Sequence, residues 1–158
     1  MPRHREERWL PYPPELIYDL VADIESYPAF IPWCEVTRIR NRREGDGFDR
    51  LEADLIASFK VYRARLSSVV DLHHDHSRIV IAYLDGPLRH LDSSWRFQAS
   101  RNGCRLLFEV DFEFRNAVLR KLAGVVFTEA MHRIAGAFEA RARDLYGQPD
   151  KSDQNRLA

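Results

Sequence analysis

Cys104-Arg105-Leu106-Leu107-Phe108-Glu109-Val110-Asp111-Phe112-Glu113-Phe114-Arg115 alternates along almost its whole length. Cys104, Leu106, Phe108, Val110, Phe112 and Phe114 fall on one side, and Arg105, Glu109, Asp111, Glu113 and Arg115 on the other. That is the pattern of a β-strand with one buried face. Past Asn116 the period changes. Leu119, Leu122, Val126, Ala130, Ile134, Phe138, Ala142 and Leu145 step by three or four, which is helical spacing sustained for about seven turns. Unbroken from Asn116 to Tyr146, such a helix is roughly 46 Å long at the usual rise per residue. A sheet with one apolar face needs a cover, and a helix of that length supplies it.

Upstream of this stretch, Asn102-Gly103 is a hairpin signal, and Trp95 and Phe97 alternate within a strand over about 91–99. Ile79–Leu84 is a continuous apolar run ended by Asp85-Gly86-Pro87, and His73-His74-Asp75-His76-Ser77 reads as the turn before it. The segment 48–72 contains no Gly, Pro or Asn, yet it exceeds the common strand limit of about ten residues. Leu51, Ala53, Leu55, Ala57 and Phe59 are odd-numbered, whereas Tyr62, Ala64, Leu66, Val70 and Leu72 are even. The change of parity places a chain reversal near 58–61. Earlier still, the strand holding Arg38–Arg43 leads to a turn at Glu44-Gly45-Asp46-Gly47.

Residues 3–10 are expected to form a first strand, closed by Pro11, Pro13 and Pro14. Pro14 suits the first turn of a helix, with Glu15 favourable at its positive end. Leu16, Ile17, Leu20, Val21 and Ile24 continue that helix as a stripe. Pro28 and Pro32 bracket Ala29-Phe30-Ile31, so a second helix there is short. The class is α+β: a strand, two short helices, about six antiparallel strands and one long helix. One domain spans 1–147, and the polar residues 148–158 are expected to be a disordered tail.

The chain has 158 residues, a length that suits one core. Lys+Arg and Asp+Glu both number 24, so no long-range field concentrates polyanions, and DNA is not an expected partner. Cys34 and Cys104 are too few for a disulfide framework or a zinc site. No run approaches the roughly 20 apolar residues of a membrane span. The opening MPRHREER lacks the apolar region of a secretory signal. The expected location is the cytoplasm, with peripheral contact at the inner membrane surface as an option.

The apolar side of the sheet mixes large residues (Phe59, Tyr62, Trp95, Phe97, Phe108, Phe112) with small ones (Ala53, Ala57, Ala64, Ser68). The helix adds Gly124, Ala130, Ala135, Gly136 and Ala137 beside Phe127, Met131 and Phe138. Glycine inside a helix costs about 1 kcal/mol relative to alanine. Either the two layers touch closely at these positions, or they leave room for an apolar ligand.

The run Ser26-Tyr27-Pro28-Ala29-Phe30-Ile31-Pro32-Trp33-Cys34 resembles the YPxFxPWC signature of the coenzyme Q-binding START-like family, part of the polyketide cyclase/dehydrase superfamily. That family takes in mitochondrial ubiquinone-binding proteins and bacterial RatA-type proteins. Further matches follow in order at Gly86-Pro87-Leu88, Leu91, Trp95-Arg96-Phe97, Phe112-Glu113-Phe114, Ala137-Phe138-Glu139-Ala140-Arg141-Ala142 and Leu145-Tyr146-Gly147, so the resemblance covers 3–147. It implies a helix-grip fold, with a curved sheet of six to seven strands wrapped around the long helix and a hydrophobic tunnel between them. It also implies a bound ubiquinone or similar isoprenoid lipid, in support of respiratory electron transport, and no catalytic cofactor. A RatA-type regulator that interferes with ribosomal subunit association, and a cyclase- or dehydratase-type enzyme, are the alternatives it leaves. Pattern and resemblance together give the expected ligand-facing set. Phe30, Pro32 and Trp33 come from the signature; Leu55, Phe59, Tyr62, Leu66, Leu88, Trp95, Phe97, Phe108, Val110 and Phe112 from the sheet; and Phe127, Met131 and Ile134 from the helix.

Polar chemistry is sparse. The sequence holds no GxSxG, HExxH or phosphate-cradling glycine loop. His73, His74 and His76 read as a solvated turn, since companion metal ligands are missing. His90 and His132 are candidates to face the pocket, against a structural role for each. Cys34, with no basic partner nearby in sequence, reads as an inert thiol. Glu52 and Asp54 are expected opposite Arg63 and Arg65 on the outer face. Arg38, Arg40, Arg42 and Arg43 form a basic cluster, a solvated face or a contact for anionic lipid or ribosomal RNA. Leu119, Leu122, Val125 and Val126, near Arg120 and Lys121, are first of all expected to be core; a membrane-touching entrance to the tunnel is the other option.

Overall fold

The computed structural model describes residues 3–59 and 62–147, with Phe59 described by its backbone alone. The tail expected over 148–158 lies outside the described residues. Strand β1 (Arg3–Leu10) leads into helix α1 (Pro14–Ala22) and a 3-10 helix (Ile24–Ala29). Strands β2 (Cys34–Glu44), β3 (Phe48–Phe59), β4 (Tyr62–His73), β5 (Arg78–Asp85), β6 (Leu88–Ser100) and β7 (Gly103–Phe114) follow, and helix α2 (Ala117–Tyr146) ends the domain. Pro14 opens α1 as its composition requires. The second short helix ends at Ala29 and contains Pro28, rather than lying between Pro28 and Pro32. A proline lacks the N–H that a longer helix interior would need, so a tight 3-10 segment forms instead.

The seven strands make one antiparallel sheet in the order β1-β7-β6-β5-β4-β3-β2. The parity change in 48–72 corresponds to the β3–β4 reversal, where Phe59 faces Tyr62 across the ladder. Irregularities in register at Cys34/Val36, Ile39/Asn41, Ser67/Ser68 and Leu88/His90 bend the strands. The Asn102-Gly103 turn also works by close approach. A Cβ on Gly103 would lie 2.3 Å from the Leu10 carbonyl oxygen, so only glycine lets β1 pair with β7 there. This is the helix-grip arrangement that the resemblance implies.

Helix α2 begins with the Asn116 side chain accepting from the Val118 and Leu119 amides, a regular N-cap. Its two halves differ. The C-terminal half is locked down: Ala135, Phe138 and Ala142 are buried. Phe138 meets Trp95 (ring centroids 4.9 Å), Phe30 (5.2 Å) and Tyr27 (5.4 Å), and Trp95 stacks on Phe108 at 4.2 Å. Tyr12 and Tyr146 then donate hydrogen bonds to the Gly147 and Leu16 carbonyls, tying the helix end to α1. In the N-terminal half only Ala123 and Phe127 are buried. The stripe drawn through Leu122 and Val126 therefore runs one residue off the buried line. The core expected around Leu119, Leu122, Val125 and Val126 does not form, since Leu122, Val125 and Val126 are exposed.

Candidate functional site

The N-terminal half of α2 meets the sheet mainly through Ala123 and Phe127, whose ring lies 5.0 Å from that of Phe112, and a cavity of about 350 Å³ remains beneath this half. The helix contributes Leu119, Ala123, Val126, Phe127, Ala130 and Met131; the end of β7 contributes Phe112 and Phe114. Trp33, immediately before β2, also lines it. The lining is almost wholly apolar, and Glu129 and Arg133 at the lip are paired with each other, Nε to Oε1 at 3.2 Å.

Trp33 reaches this position because the chain turns sharply after the 3-10 helix. Its backbone is left-handed (φ 65) and its carbonyl accepts from the Ser58 amide at 2.9 Å. A bulky residue held at positive φ costs on the order of 1–2 kcal/mol, strain that here sits at the cavity wall.

Four of the expected ligand-facing residues, Trp33, Phe112, Phe127 and Met131, line the cavity. Leu88, Trp95, Phe97, Phe108 and Val110 are buried in the core, and Phe30 packs on Phe138 beneath the Arg141 guanidinium. Pro32, Leu55, Tyr62, Leu66 and Ile134 are half-buried and are not among its walls. The side chain of Phe59 lies outside the described residues. Phe114 and Ala123 line the cavity without having been among the expected residues, and Leu119, Leu122 and Val126, expected first as core and only alternatively as an entrance to the tunnel, line it too. The available signal was that residues 117–127 are apolar nearly all the way round the helix, more than one core-facing stripe needs.

A polar cluster joins β1 to α2. Glu6 accepts hydrogen bonds from His4 Nε2 (3.0 Å) and from Arg8 Nε, and lies 3.1 Å from His132 Nδ1. Arg8 also reaches Glu139 at 3.0 Å and the His132 carbonyl at 3.3 Å. Burial pushes the Glu6 carboxyl upward, but bonds from Arg8, His4 and His132 and the Arg8 charge together hold it below its ordinary value. His132 is thus engaged with β1. His90 bonds to Asp111 at 3.0 Å on the polar side of β7, away from the cavity.

The remaining candidates are structural. His76 stacks on Tyr18 and His74 bonds to Asp49 at 2.7 Å. Among the described residues no group of three His, Cys, Asp or Glu side chains could hold a metal ion. Burial pushes the thiols of Cys34 and Cys104 up to about 11, which keeps both protonated at neutral pH. Asp54 binds Arg65 (2.7 Å), Ser67 (2.6 Å) and Arg40 (3.0 Å), while Arg63 pairs with Glu35 and not with Glu52. The β3–β4 register sets Ser67 opposite Asp54, so Arg65 reaches it only diagonally. In the basic cluster, Arg42 pairs with Asp49, and Arg38 and Arg43 have no ion pair among the described residues. No helix among those residues is long and apolar enough to cross a membrane.

Comparison with known proteins gives this geometry its family. Residues 10–139 match the model of the family described as polyketide cyclase / dehydrase and lipid transport. The ribosome association toxin RatA of Rickettsia prowazekii is 33% identical over 136 residues, which is 86% of this chain and 92% of that protein. The mitochondrial coenzyme Q-binding protein COQ10 homolog B of Xenopus laevis is 32% identical over 152 residues, 93% of this chain and 60% of that one. Among solved structures, an 18 kDa protein from Caulobacter crescentus superposes with a TM-score of 0.79 at 30% identity, covering 94% of this chain and all of that one. The chain belongs to the polyketide cyclase/dehydrase and lipid transport family, and within it resembles the RatA-type and coenzyme Q-binding START-like proteins.

Proposed function

We propose that the protein binds an apolar small molecule of the isoprenoid-quinone class, ubiquinone or a close analogue, and carries or presents it without transforming it. The observation that carries this is the cavity under α2, whose walls are apolar and whose two charged residues neutralise each other. Burying a methylene contributes about 0.8 kcal/mol, so such walls hold a prenyl chain without specific polar contacts. Proton-transfer chemistry needs a positioned acid or base. The histidines described above are engaged by carboxylates or a ring and burial keeps both thiols protonated, which weighs against a cyclase-type reaction. Coenzyme Q binding by a relative points the same way.

Ala130 is half-buried on the cavity wall, so Ala130→Trp fills the space from a position that tolerates bulk. Titration of lipid-free protein with a short-chain ubiquinone, followed by tryptophan fluorescence, is expected to show affinity falling at least about tenfold in this variant. Circular dichroism should be unchanged. Unaltered affinity in a folded Ala130→Trp protein removes this cavity as the binding site. Organic extraction of the purified wild type should release a prenylquinone identifiable by ultraviolet spectrum and mass.

A second reading, ribosome-directed regulation, is favoured by the RatA relatives and by Arg38 and Arg43, exposed on the edge strand β2 without ion pairs among the described residues. Overexpression should then enrich free ribosomal subunits on sucrose gradients, and Arg38→Glu with Arg43→Glu should restore the normal profile. A gradient indifferent to both removes that role.

A further inference from the structure

Val118 and Val125 are 75% and 80% exposed, and Leu122 and Val126 are exposed beside them. Their spacing, i, i+4, i+7 and i+8, sets them on one helix face, opposite the Ala123–Phe127 line that meets the sheet. A helix apolar on both faces is normally covered on both. In the isolated chain the outer face of α2 meets water, and a contiguous apolar patch of this kind marks an interaction surface.

The charges around the patch identify its occupant. No acidic residue lies between Glu113 and Glu129. Those two flanking acids are each held by an arginine, Glu113 by Arg120 at 3.9 Å and Glu129 by Arg133 at 3.2 Å. Arg89, Arg115 and Lys121 are exposed at the same end of the molecule. Arg115 donates to the Leu88 carbonyl, and Leu88 pairs with Phe114, which brings Arg89 beside the start of α2. Neither Arg89 nor Lys121 has an ion-pair partner among the described residues. A second copy docked through the same patch about a two-fold axis would set these cations against their own equivalents. A negatively charged lipid surface matches both features: apolar side chains enter the acyl boundary while lysine and arginine reach the phosphates.

We infer that the N-terminal half of α2 is a docking face for anionic phospholipid bilayers, with Val118, Leu122, Val125 and Val126 inserted and Arg89, Arg115 and Lys121 at the headgroups. Leu122 and Val126 also line the cavity, so docking sets its mouth against the membrane and an apolar ligand passes between the two without crossing water. The face exists whatever the cavity holds; the inference adds a partner to the proposed carrier.

Vesicle co-sedimentation tests it, using lipid-free protein with phosphatidylcholine vesicles made with or without phosphatidylglycerol. The wild type should partition onto the anionic vesicles far more than onto neutral ones. Val118→Asp and Val125→Asp, at positions too exposed to disturb folding, should each lower that partitioning about tenfold or more. Lys121→Gln should lower it about fivefold on anionic vesicles alone. Equal binding to both vesicle types, binding indifferent to Val125→Asp, or a dimer in sedimentation velocity that Val125→Asp dissolves would each overturn the inference. Protein that docks but takes up no quinone leaves it standing and removes the carrier proposal. Protein that binds quinone but ignores vesicles does the reverse.

Discussion

Phe138→Ala is expected to destabilise the protein by about 3–5 kcal/mol, the range for emptying a buried aromatic site. Phe138 is 2% exposed and its ring meets Trp95, Phe30 and Tyr27 at once. It is therefore the point where α2, the sheet and the segment after α1 are joined. Removing it opens a void that none of the three can close without leaving the others. For a chain of this size the loss corresponds to a fall in melting temperature of roughly 10 °C. Phe138→Leu, which keeps more of the volume, should cost distinctly less. Val125→Ala, on the same helix but 80% exposed, should stay within about 0.5 kcal/mol of wild type. Equilibrium unfolding in urea measures all three. A loss below about 1 kcal/mol for Phe138→Ala would mean that this aromatic cluster does not hold the C-terminal half of α2 to the sheet.

The contrast between the two ends of α2 shows what the sequence could and could not convey. The strand Gly103–Phe114 was legible because one face carries apolar side chains and the other charges, a pattern with only one register. The β3–β4 reversal was found from a change of parity alone, since no turn residue marks it. The long helix was equally plain, but its contacts were not. Between 117 and 127 apolar side chains occupy nearly every direction, so periodicity could not choose between the Leu122–Val126 and Ala123–Phe127 lines. The sheet inverts the difficulty: Trp95 and Phe108 have the same inward parity as Phe112. Parity says which way a side chain points and nothing about whether it meets a neighbour or a void. Trp95 and Phe108 stack on each other, while Phe112 borders the cavity. That distinction depends on where the long helix lifts away, which is a property of three elements together.

The β1–α2 cluster leaves no trace in the apolar pattern for a different reason. In RHREERWL the inward positions are His4, Glu6, Arg8 and Leu10, so apolar alternation gives no signal until the strand ends. These polar groups nevertheless bind the edge strand to the helix that roofs the cavity, and their contribution is measurable through Glu6. Its side chain is 12% exposed and that of Arg8 16%. Glu6→Ala strips Arg8 and both imidazoles of their shared acceptor. Complete burial would make such a loss about 3–5 kcal/mol. Arg8 keeps Glu139 and some water, so about 2–3 kcal/mol is expected at neutral pH.

The pH dependence carries a sign. The folded carboxyl is held below its ordinary value, so the folded state favours the ionised form. Its stabilising contribution is fully present above the unfolded pKa of about 4.3 and is lost as pH falls through the lower folded value. Urea unfolding of wild type and Glu6→Gln across the acid range should therefore give a gap that narrows below about pH 4. Other depressed carboxyls, such as Asp49 and Asp111, weaken both proteins alike in acid and cancel in the difference. A gap that persists undiminished into strong acid would mean that Glu6 stabilises through packing, and that the ionic latch between β1 and α2 contributes nothing.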